Sequence, residues 1–304
     1  MLEKTQQMEK TSQQTIGLIA GVLTITLWAL LPVLRNMVQL PPMLTAAVAM
    51  ASAALLSQLI GRWKREPASA WPFQNPKFWV MGAGALTGAL YFYFLALGEG
   101  DPAKVTLVTY TWPLGFVLVA DRLAGKGLQI RTLMGGLVAF SGLAPLVLST
   151  SDGAATPPLA YASGLAAGGC WILFSLYLRN NSAGGMHDYK QVFLSVSVMA
   201  LLLHAVFESS PKQAAVSDWV IAMLIGIGPY GLAFIAWGFA LGRSSSSLLG
   251  VLTYFVPVIS AAFLVLIGWA SLSVHLLVAS LATLVSAFIT NKPGSTSRQA
   301  HQTS

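Results

Sequence analysis

Ten long apolar runs constrain this chain more than any other feature of its sequence. Each is long enough for a helix to cross the roughly 30 Å hydrocarbon core of a bilayer. Only 9% of the 304 residues are charged and the mean hydropathy is +0.69, so a soluble body of this size has no way to bury its apolar surface. Continuous runs, rather than short alternating segments, favour helices over a β-barrel. The predicted spans cover residues 16–35, 43–61, 78–97, 104–120, 131–149, 159–179, 190–207, 219–241, 246–267 and 273–291.

The basic residues predict which way the spans point. Fourteen of the 17 Lys and Arg residues fall on the side that holds the N-terminus. Because cytoplasmic loops of membrane proteins are enriched in Lys and Arg, both termini are expected in the cytoplasm, which requires an even number of spans. No Asp, Glu, Lys or Arg lies in the middle of a span, and Arg35 and Arg179 sit at span ends. We therefore expect an all-α polytopic membrane protein with both termini in the cytoplasm.

The second half of the sequence repeats the first at a spacing of 144 residues. The matching pairs, one of them offset by a single residue, are Leu97-Gly98 with Leu241-Gly242, Thr109-Tyr110 with Thr253-Tyr254, Pro113 with Pro257, and Trp28 with Trp171. Five spans in each half reverse the orientation of the second half, which predicts two inverted repeats with a substrate site between them. The expected organisation is a cytoplasmic tail (1–15), two five-helix repeats (16–150 and 157–291) and a second cytoplasmic tail (292–304).

These features carry a family resemblance over nearly the whole chain. The Trp in the first helix of each half and the Leu-Gly…Pro stretch leading into the fourth resemble the drug/metabolite transporter superfamily, EamA type. Within it, the segments 27–29, 91–98 and 109–113 are most similar to the YddG-type aromatic amino acid exporters of bacterial inner membranes. The resemblance implies ten helices arranged five plus five, and export of amino acids, aromatic and other neutral ones, by alternating access.

Aromatic side chains on small-residue faces are the candidate substrate-binding residues. Trp28 shares a helical stripe with Thr24, and Trp171 shares one with Gly164 and Gly168. Paired on polar faces of equivalent helices, the two tryptophans favour a transport pathway over lipid contact or helix packing. Tyr91 and Trp237, in the third and eighth spans, are added because aromatic residues near span centres are less typical of the interfacial belt.

The fourth span of each half supplies the remaining candidates. In the first half, Pro113 follows Thr109, Tyr110 and Trp112. In the equivalent span of the second half, Pro257 follows Tyr254. A proline inside a membrane helix removes one backbone donor and frees a carbonyl, so such positions line cavities or act as hinges more readily than the rest of a span. Pro113 and Pro257 are therefore candidate hinges. Pro32, which has no counterpart in the second half, is a third candidate.

Several motifs that other mechanisms require are missing from the sequence, and this limits the mechanisms that it allows. It has no P-loop motif for ATP hydrolysis, and its one cysteine, Cys170, excludes an intrachain disulfide and a cysteine metal site. Scattered basic residues without interleaved aromatics argue against nucleic acid as a partner. We expect no cofactor and no metal, and a monomer that meets the lipid bilayer and a small substrate. Without a carboxylate inside a span, a neutral or zwitterionic solute moving down its own gradient is favoured.

Three other functions remain open at this point. Aromatic walls accept flat hydrophobic cations as readily as amino acids, so broad export of drugs or other metabolites is the main alternative. An intramembrane serine protease would use Ser163 of a Ser-Gly pair with His204 or His275 as the base, but ten duplicated spans do not fit that class, and we expect no enzyme. A receptor or structural protein is the third alternative, and the duplication argues against it, because inverted symmetry matters most where two faces of a protein open alternately.

Overall fold

The computed structural model describes residues 2–67, 69–100, 102–125, 127, 129–149, 156–181, 185–209, 214–268 and 272–291. Throughout these ranges the regular structure is helical, which confirms an all-α polytopic membrane protein. The helices of the first half are α1 (Leu2–Asn36), α2 (Pro42–Trp63), a π-helical segment Phe78–Gly84 that continues into α3 (Ala85–Glu99), α4 (Pro102–Thr109), α5 (Trp112–Leu123) and α6 (Ile130–Leu148).

The second half follows the same order. Its helices are α7 (Pro158–Asn180), α8 (Met186–Phe207), α9 (Val216–Ile225), a π-helical segment Gly226–Leu232 that continues into α10 (Ala233–Arg243), α11 (Ser246–Leu252), α12 (Phe255–Leu266) and α13 (Val274–Asn291). Helix α1 begins at Leu2, so the predicted N-terminal tail is largely helical. A π-helical segment thus occurs at the third predicted span of each half, and such segments are frequent at functional sites.

Eight stretches of the described residues are long and apolar enough to cross a membrane. They are Thr11–Asn36, Pro42–Trp63, Phe78–Glu99, Ile130–Leu148, Pro158–Asn180, Met186–Phe207, Val216–Arg243 and Ser246–Leu266. Of the two remaining predicted spans, 104–120 is divided between α4 and α5, and 273–291 corresponds to the shorter apolar helix Val274–Thr290. The count of ten spans therefore stays a prediction.

The helices pack in pairs that join the two halves. Helix α2 lies along α8, α6 lies along α13, α3 packs on α7, and α10 packs on α1. Close packing in membranes depends on small residues, because lipid gives apolar side chains little reason to leave it. Gly226 is the clearest case: a Cβ there would collide with the backbone of Ala49 in α2.

Helices α2 and α8 are each capped in the first turn by a carboxylate that follows the other helix. Glu208, just beyond α8, accepts hydrogen bonds from the backbone N–H of Met43 in the first turn of α2 at 2.9 and 3.1 Å. Glu66, just beyond α2, accepts one from the N–H of Met186 in the first turn of α8 at 2.6 Å. The first turns of a helix leave N–H groups without intrahelical partners, and a carboxylate there also meets the positive end of the helix dipole. The N-terminus of each helix is therefore capped by the glutamate that lies just beyond the C-terminus of the other helix.

Substitution of Gly142 by alanine is expected to destabilise the protein. A Cβ at this position in α6 would overlap the Cβ of Ala282 in α13, and overpacking of this kind typically costs about 1–3 kcal/mol. The melting temperature in detergent, followed by intrinsic fluorescence, should fall. The matched control is Gly169→Ala, where a Cβ meets no atom within 4 Å and the melting temperature should not decrease. Equal melting temperatures for the Gly142 variant and the wild type would contradict this packing.

Candidate functional site

Four tryptophans from four different helices meet in the interior of the bundle. The ring centroids of Trp28 (α1) and Trp237 (α10) are 5.3 Å apart, and those of Trp28 and Trp171 (α7) are 6.1 Å apart. Trp112 (α5) lies 6.5 Å from both Trp171 and Trp237. The interplanar angles in these pairs range from tilted to edge-on, which is the geometry that aromatic quadrupoles favour over a face-to-face sandwich. We call these four residues the tryptophan cluster.

Two members of the tryptophan cluster are buried and two are half-buried. Trp237 is 0% exposed and Trp112 is 8% exposed, whereas Trp28 and Trp171 keep part of their surface accessible. The indole N–H of Trp237 donates to the Ser175 hydroxyl at 3.2 Å, so its one polar atom is satisfied. Trp237 and Trp112 are therefore enclosed by the protein, while Trp28 and Trp171 keep part of their ring surface accessible.

Polar and small residues hold the helices of the cluster together. Thr24, one turn before Trp28, donates its hydroxyl to the carbonyls of Ala20 and of Ala233 in α10, at 2.9 and 3.2 Å. On α7, a Cβ at Gly168 would lie 3.3 Å from both the Trp112 Cβ and the carbonyl oxygen of Thr109. The small-residue stripe on α7 therefore brings this helix close to the chain around α5.

Phe234 lies at the centre of the aromatic region, and sequence reasoning did not select it. Its ring is 5.5 Å from Trp171 and 6.0 Å from Trp28, and it stacks on Tyr230 at 5.5 Å with an interplanar angle of 10°. It is 0% exposed. A spacing of four and then three residues places Tyr230, Phe234 and Trp237 on one helix face. This spacing is the feature of the sequence that could have identified Phe234.

Both fourth spans are broken just before their prolines. Helix α4 ends at Thr109 and α5 begins at Trp112, with Pro113 in its first turn. Helix α11 ends at Leu252 and α12 begins at Phe255, with Pro257 in its first turn. Because proline has no N–H to bond the carbonyl four residues earlier, the regular pattern stops at these positions. The breaks lie at equivalent places in the two halves, as the sequence repeat predicted.

The threonines at the breaks bond to backbone carbonyls. Thr109 is 4% exposed, and its hydroxyl donates to the carbonyl of Gly164 in α7 at 3.3 Å. Thr253 is 0% exposed, and its hydroxyl donates to the carbonyl of Gly250 in its own helix at 2.6 Å. Thr109 thus ties the first break to the helix that carries Trp171.

The three predicted tyrosines do not join the tryptophan cluster. Tyr91 packs its ring 5.9 Å from Phe207, and Tyr254 packs its ring 6.5 Å from Phe140. Tyr110 lies at the first break, between the apolar residues of α1 and α12 and those of α6 and α13. The structure therefore gathers the four tryptophans and Thr109 around α7, and places Tyr91 and Tyr254 with other groups.

Pro32 lies in a helix that continues past it. Helix α1 runs to Asn36, so this proline is not accompanied by a break like those before Pro113 and Pro257. One turn later, Arg35 donates to the carbonyls of Val38 and Leu40 at 2.7 and 3.3 Å. Its guanidinium carbon also lies 5.9 Å from the centroid of the Phe94 ring. The end of α1 is thus fixed to the following loop and to α3.

The arrangement suits recognition of a flat aromatic group. Ring centroids 5.3–6.5 Å apart mean that the four side chains are in direct contact with one another. The residues that the structure describes contain no group of three or more His, Cys, Asp or Glu side chains placed to hold a metal ion. The polar groups beside the cluster are hydroxyls and backbone carbonyls, such as those of Ser175 and Gly164.

The sequence is similar to those of known transporters. Residues 15–148 match the EamA-like transporter family. The chain is 32% identical over 283 residues to the aromatic amino acid exporter YddG of Ancylobacter novellus, covering 90% of this chain and 94% of that protein. It is 26% identical over 200 residues to the aromatic amino acid exporter YddG of Salmonella typhimurium, covering 61% of this chain and 67% of that protein.

A solved crystal structure has the same fold. It superposes with a TM-score of 0.82 at 29% sequence identity, over 93% of this chain and 98% of the solved chain. The matches to this structure and to the Ancylobacter protein extend across both halves, whereas the family match covers the first half. The family resemblance inferred from the sequence is thereby confirmed.

Proposed function

Because this chain belongs to the EamA-like transporter family, we propose that it exports amino acids, aromatic ones above all, across a bacterial inner membrane. It is a multi-pass transporter and not an enzyme. The observation that carries the substrate class is the tryptophan cluster, which offers the faces of Trp28 and Trp171 to a ligand ring. An aromatic contact contributes about 0.5–1.5 kcal/mol beyond the burial of its area, and an ammonium group gains a cation–π contact with the same rings.

The two halves form an inverted repeat. In this repeat α1 corresponds to α7, α2 to α8, α3 to α10 and α6 to α13. Under this correspondence the α3–α7 contact is equivalent to the α10–α1 contact, and the α2–α8 and α6–α13 contacts are each equivalent to themselves. The reciprocal caps support the same relation, because Glu66 caps α8 as Glu208 caps α2. Ten spans in two such halves put the substrate site between them, near the midplane, where alternating-access transporters bind their cargo.

The basic residues orient the protein with both termini in the cytoplasm. One chain holds both halves of the pair, so a monomer is sufficient for transport. Bending at the breaks before Pro113 and Pro257 would open the two sides in turn, because the regular helix is interrupted at these two positions.

Transport follows the gradient of the solute itself. Within the described residues the tryptophan cluster is surrounded by apolar and hydroxyl side chains, with no carboxylate in direct contact to serve a proton or sodium relay. A zwitterion carries no net charge across the membrane, so the membrane potential does no net work on it. Accumulation of an amino acid in the cytoplasm then drives its export.

Counterflow in proteoliposomes is the direct test. Vesicles loaded with unlabelled tryptophan should take up labelled tryptophan or phenylalanine without any ion gradient, and collapse of a pH or sodium gradient should leave uptake unchanged. Unlabelled aromatic amino acids should compete strongly, and alanine or threonine weakly. Uptake that stops when the gradient collapses would contradict uncoupled transport. Competition by a flat aromatic cation, with no amino acid exchange, would move the assignment to drug export.

A further inference from the structure

Asp121 is a buried carboxylate that neither the tryptophan cluster nor the helix caps use. It lies in the last turn of α5 and is 7% exposed. The hydroxyl of Ser247, in the first turn of α11, donates to its Oδ2 atom at 3.2 Å, and Ser247 is itself 6% exposed. Burial removes most of the hydration of a carboxylate, and the Ser247 hydroxyl replaces part of it.

Other carboxylates near the ends of the helices have fixed structural partners. Glu66 and Glu208 accept from the backbone N–H groups of α8 and α2, and Asp218 accepts from the N–H groups of Gln39 and Ala215 at 2.9 Å each. Asp121 differs because its hydrogen bond crosses from one broken span to the other. Movement of α5 away from α11 would release it, whereas it would leave the caps intact.

Helices α5 and α11 are in close contact next to Asp121. A Cβ at Gly250 would lie 2.5 Å from the side chain of Val117 and 3.3 Å from the carbonyl of Pro113. Both helices adjoin a break, since α5 follows the one before Pro113 and α11 precedes the one before Pro257. In the proposed topology these segments are the cytoplasmic halves of the fourth and ninth spans. Their separation opens the cytoplasmic side of the protein and exposes the carboxylate.

The surroundings of Asp121 suit the head group of an amino acid. Asp121 lines a small cavity of about 150 Å³ together with Arg122, Gln129, Thr132 and apolar side chains of α5 and α6. The cavity lining therefore contains one acidic and one basic side chain. A zwitterion arriving from the cytoplasm meets an anion and a cation at the same place.

We propose that Asp121 binds the α-ammonium group of the amino acid as it enters from the cytoplasm, and that the Ser247 hydroxyl occupies this position when the cytoplasmic side is closed. The assignment rests on the proposed function and names a specificity-determining residue for it. Asp121 selects for an amine, whereas the tryptophan cluster selects for an aromatic ring.

The test compares Asp121→Asn and Ser247→Ala with the wild type in tryptophan counterflow. Tryptamine, which lacks the carboxylate, and indole-3-propionate, which lacks the ammonium group, serve as competitors. In the Asn variant the half-saturating tryptophan concentration should rise about tenfold or more, because a charge-assisted hydrogen bond becomes a neutral one. Competition by tryptamine should be lost, and competition by indole-3-propionate should persist. Ser247→Ala should leave the half-saturating concentration unchanged or lower it.

The neighbouring Ser246→Ala substitution is the matched control, since this serine is also buried but lies one residue away from the contact. Unchanged half-saturation in the Asn variant, or equal loss of both competitors, would overturn the assignment. If the wild type exchanges no amino acid, the proposed function fails on its own. The ammonium site is then judged by whether tryptamine raises the melting temperature of the wild type but not of the Asn variant.

Discussion

Replacement of both Trp28 and Trp171 by alanine is expected to abolish most aromatic amino acid exchange. These two members of the tryptophan cluster keep accessible ring surface, whereas Trp112 and Trp237 are buried behind them. Losing about 1 kcal/mol of stacking at each ring weakens binding roughly thirtyfold. Counterflow at a tryptophan concentration below half-saturation should fall by a similar factor, and exchange of alanine should fall much less.

The conservative and remote variants separate binding from folding. Trp28→Phe with Trp171→Phe keeps two aromatic faces and should retain most of the exchange. Trp63→Ala removes a tryptophan that is 82% exposed at the end of α2, and should have no effect. Equal losses for tryptophan and alanine exchange in the double alanine variant would show that the two rings only support the packing.

Replacement of Pro113 and Pro257 together by alanine is expected to slow transport about tenfold or more while substrate still binds. Alanine restores a backbone donor to each of the two breaks, and the interruption caused by a proline inside a helix amounts to about 3 kcal/mol. Continuous fourth and ninth spans resist the bending that alternating access requires. The maximal counterflow rate should therefore drop, with a half-saturating concentration close to that of the wild type.

The control for this pair is Pro145→Ala. Pro145 lies inside α6, which runs unbroken from Ile130 to Leu148, so its removal should leave the maximal rate unchanged. Pro32→Ala tests the third candidate hinge separately, since α1 also continues past its proline. A normal maximal rate in the Pro113 and Pro257 double variant would show that the breaks are static.

The features predicted most securely from the sequence are those set by local pattern. Apolar length predicts the helical stretches, because this effect acts within a few residues. Pro113 and Pro257 were predicted as hinges within continuous spans, and the structure has a break in the helix beside each of them. The meeting of Trp28 with Trp171 was also predictable, since the repeat placed both on small-residue faces of equivalent helices. The π-helical segments were not predicted, and the second of them packs closely on α2 through Gly226.

The remaining parts of the site depend on contacts between residues far apart in the sequence. Tyr91 and Trp237 have similar positions in their spans, yet Trp237 joins the tryptophan cluster while Tyr91 packs on Phe207. Asp121 and Ser247 gave no signal, because a carboxylate at a span end and a serine-rich turn are ordinary features when taken singly. Their pairing requires that α5 and α11 meet, and local pattern does not determine that.

The caps of α2 and α8 also bear on whether half of this chain could fold by itself. Neither half completes the first turn of its own second helix; the carboxylate comes from the other half, at opposite faces of the membrane. Half of the chain on its own would meet this requirement only by pairing antiparallel with another copy of itself. The two caps thus make each half depend on the other for the first turn of its second helix.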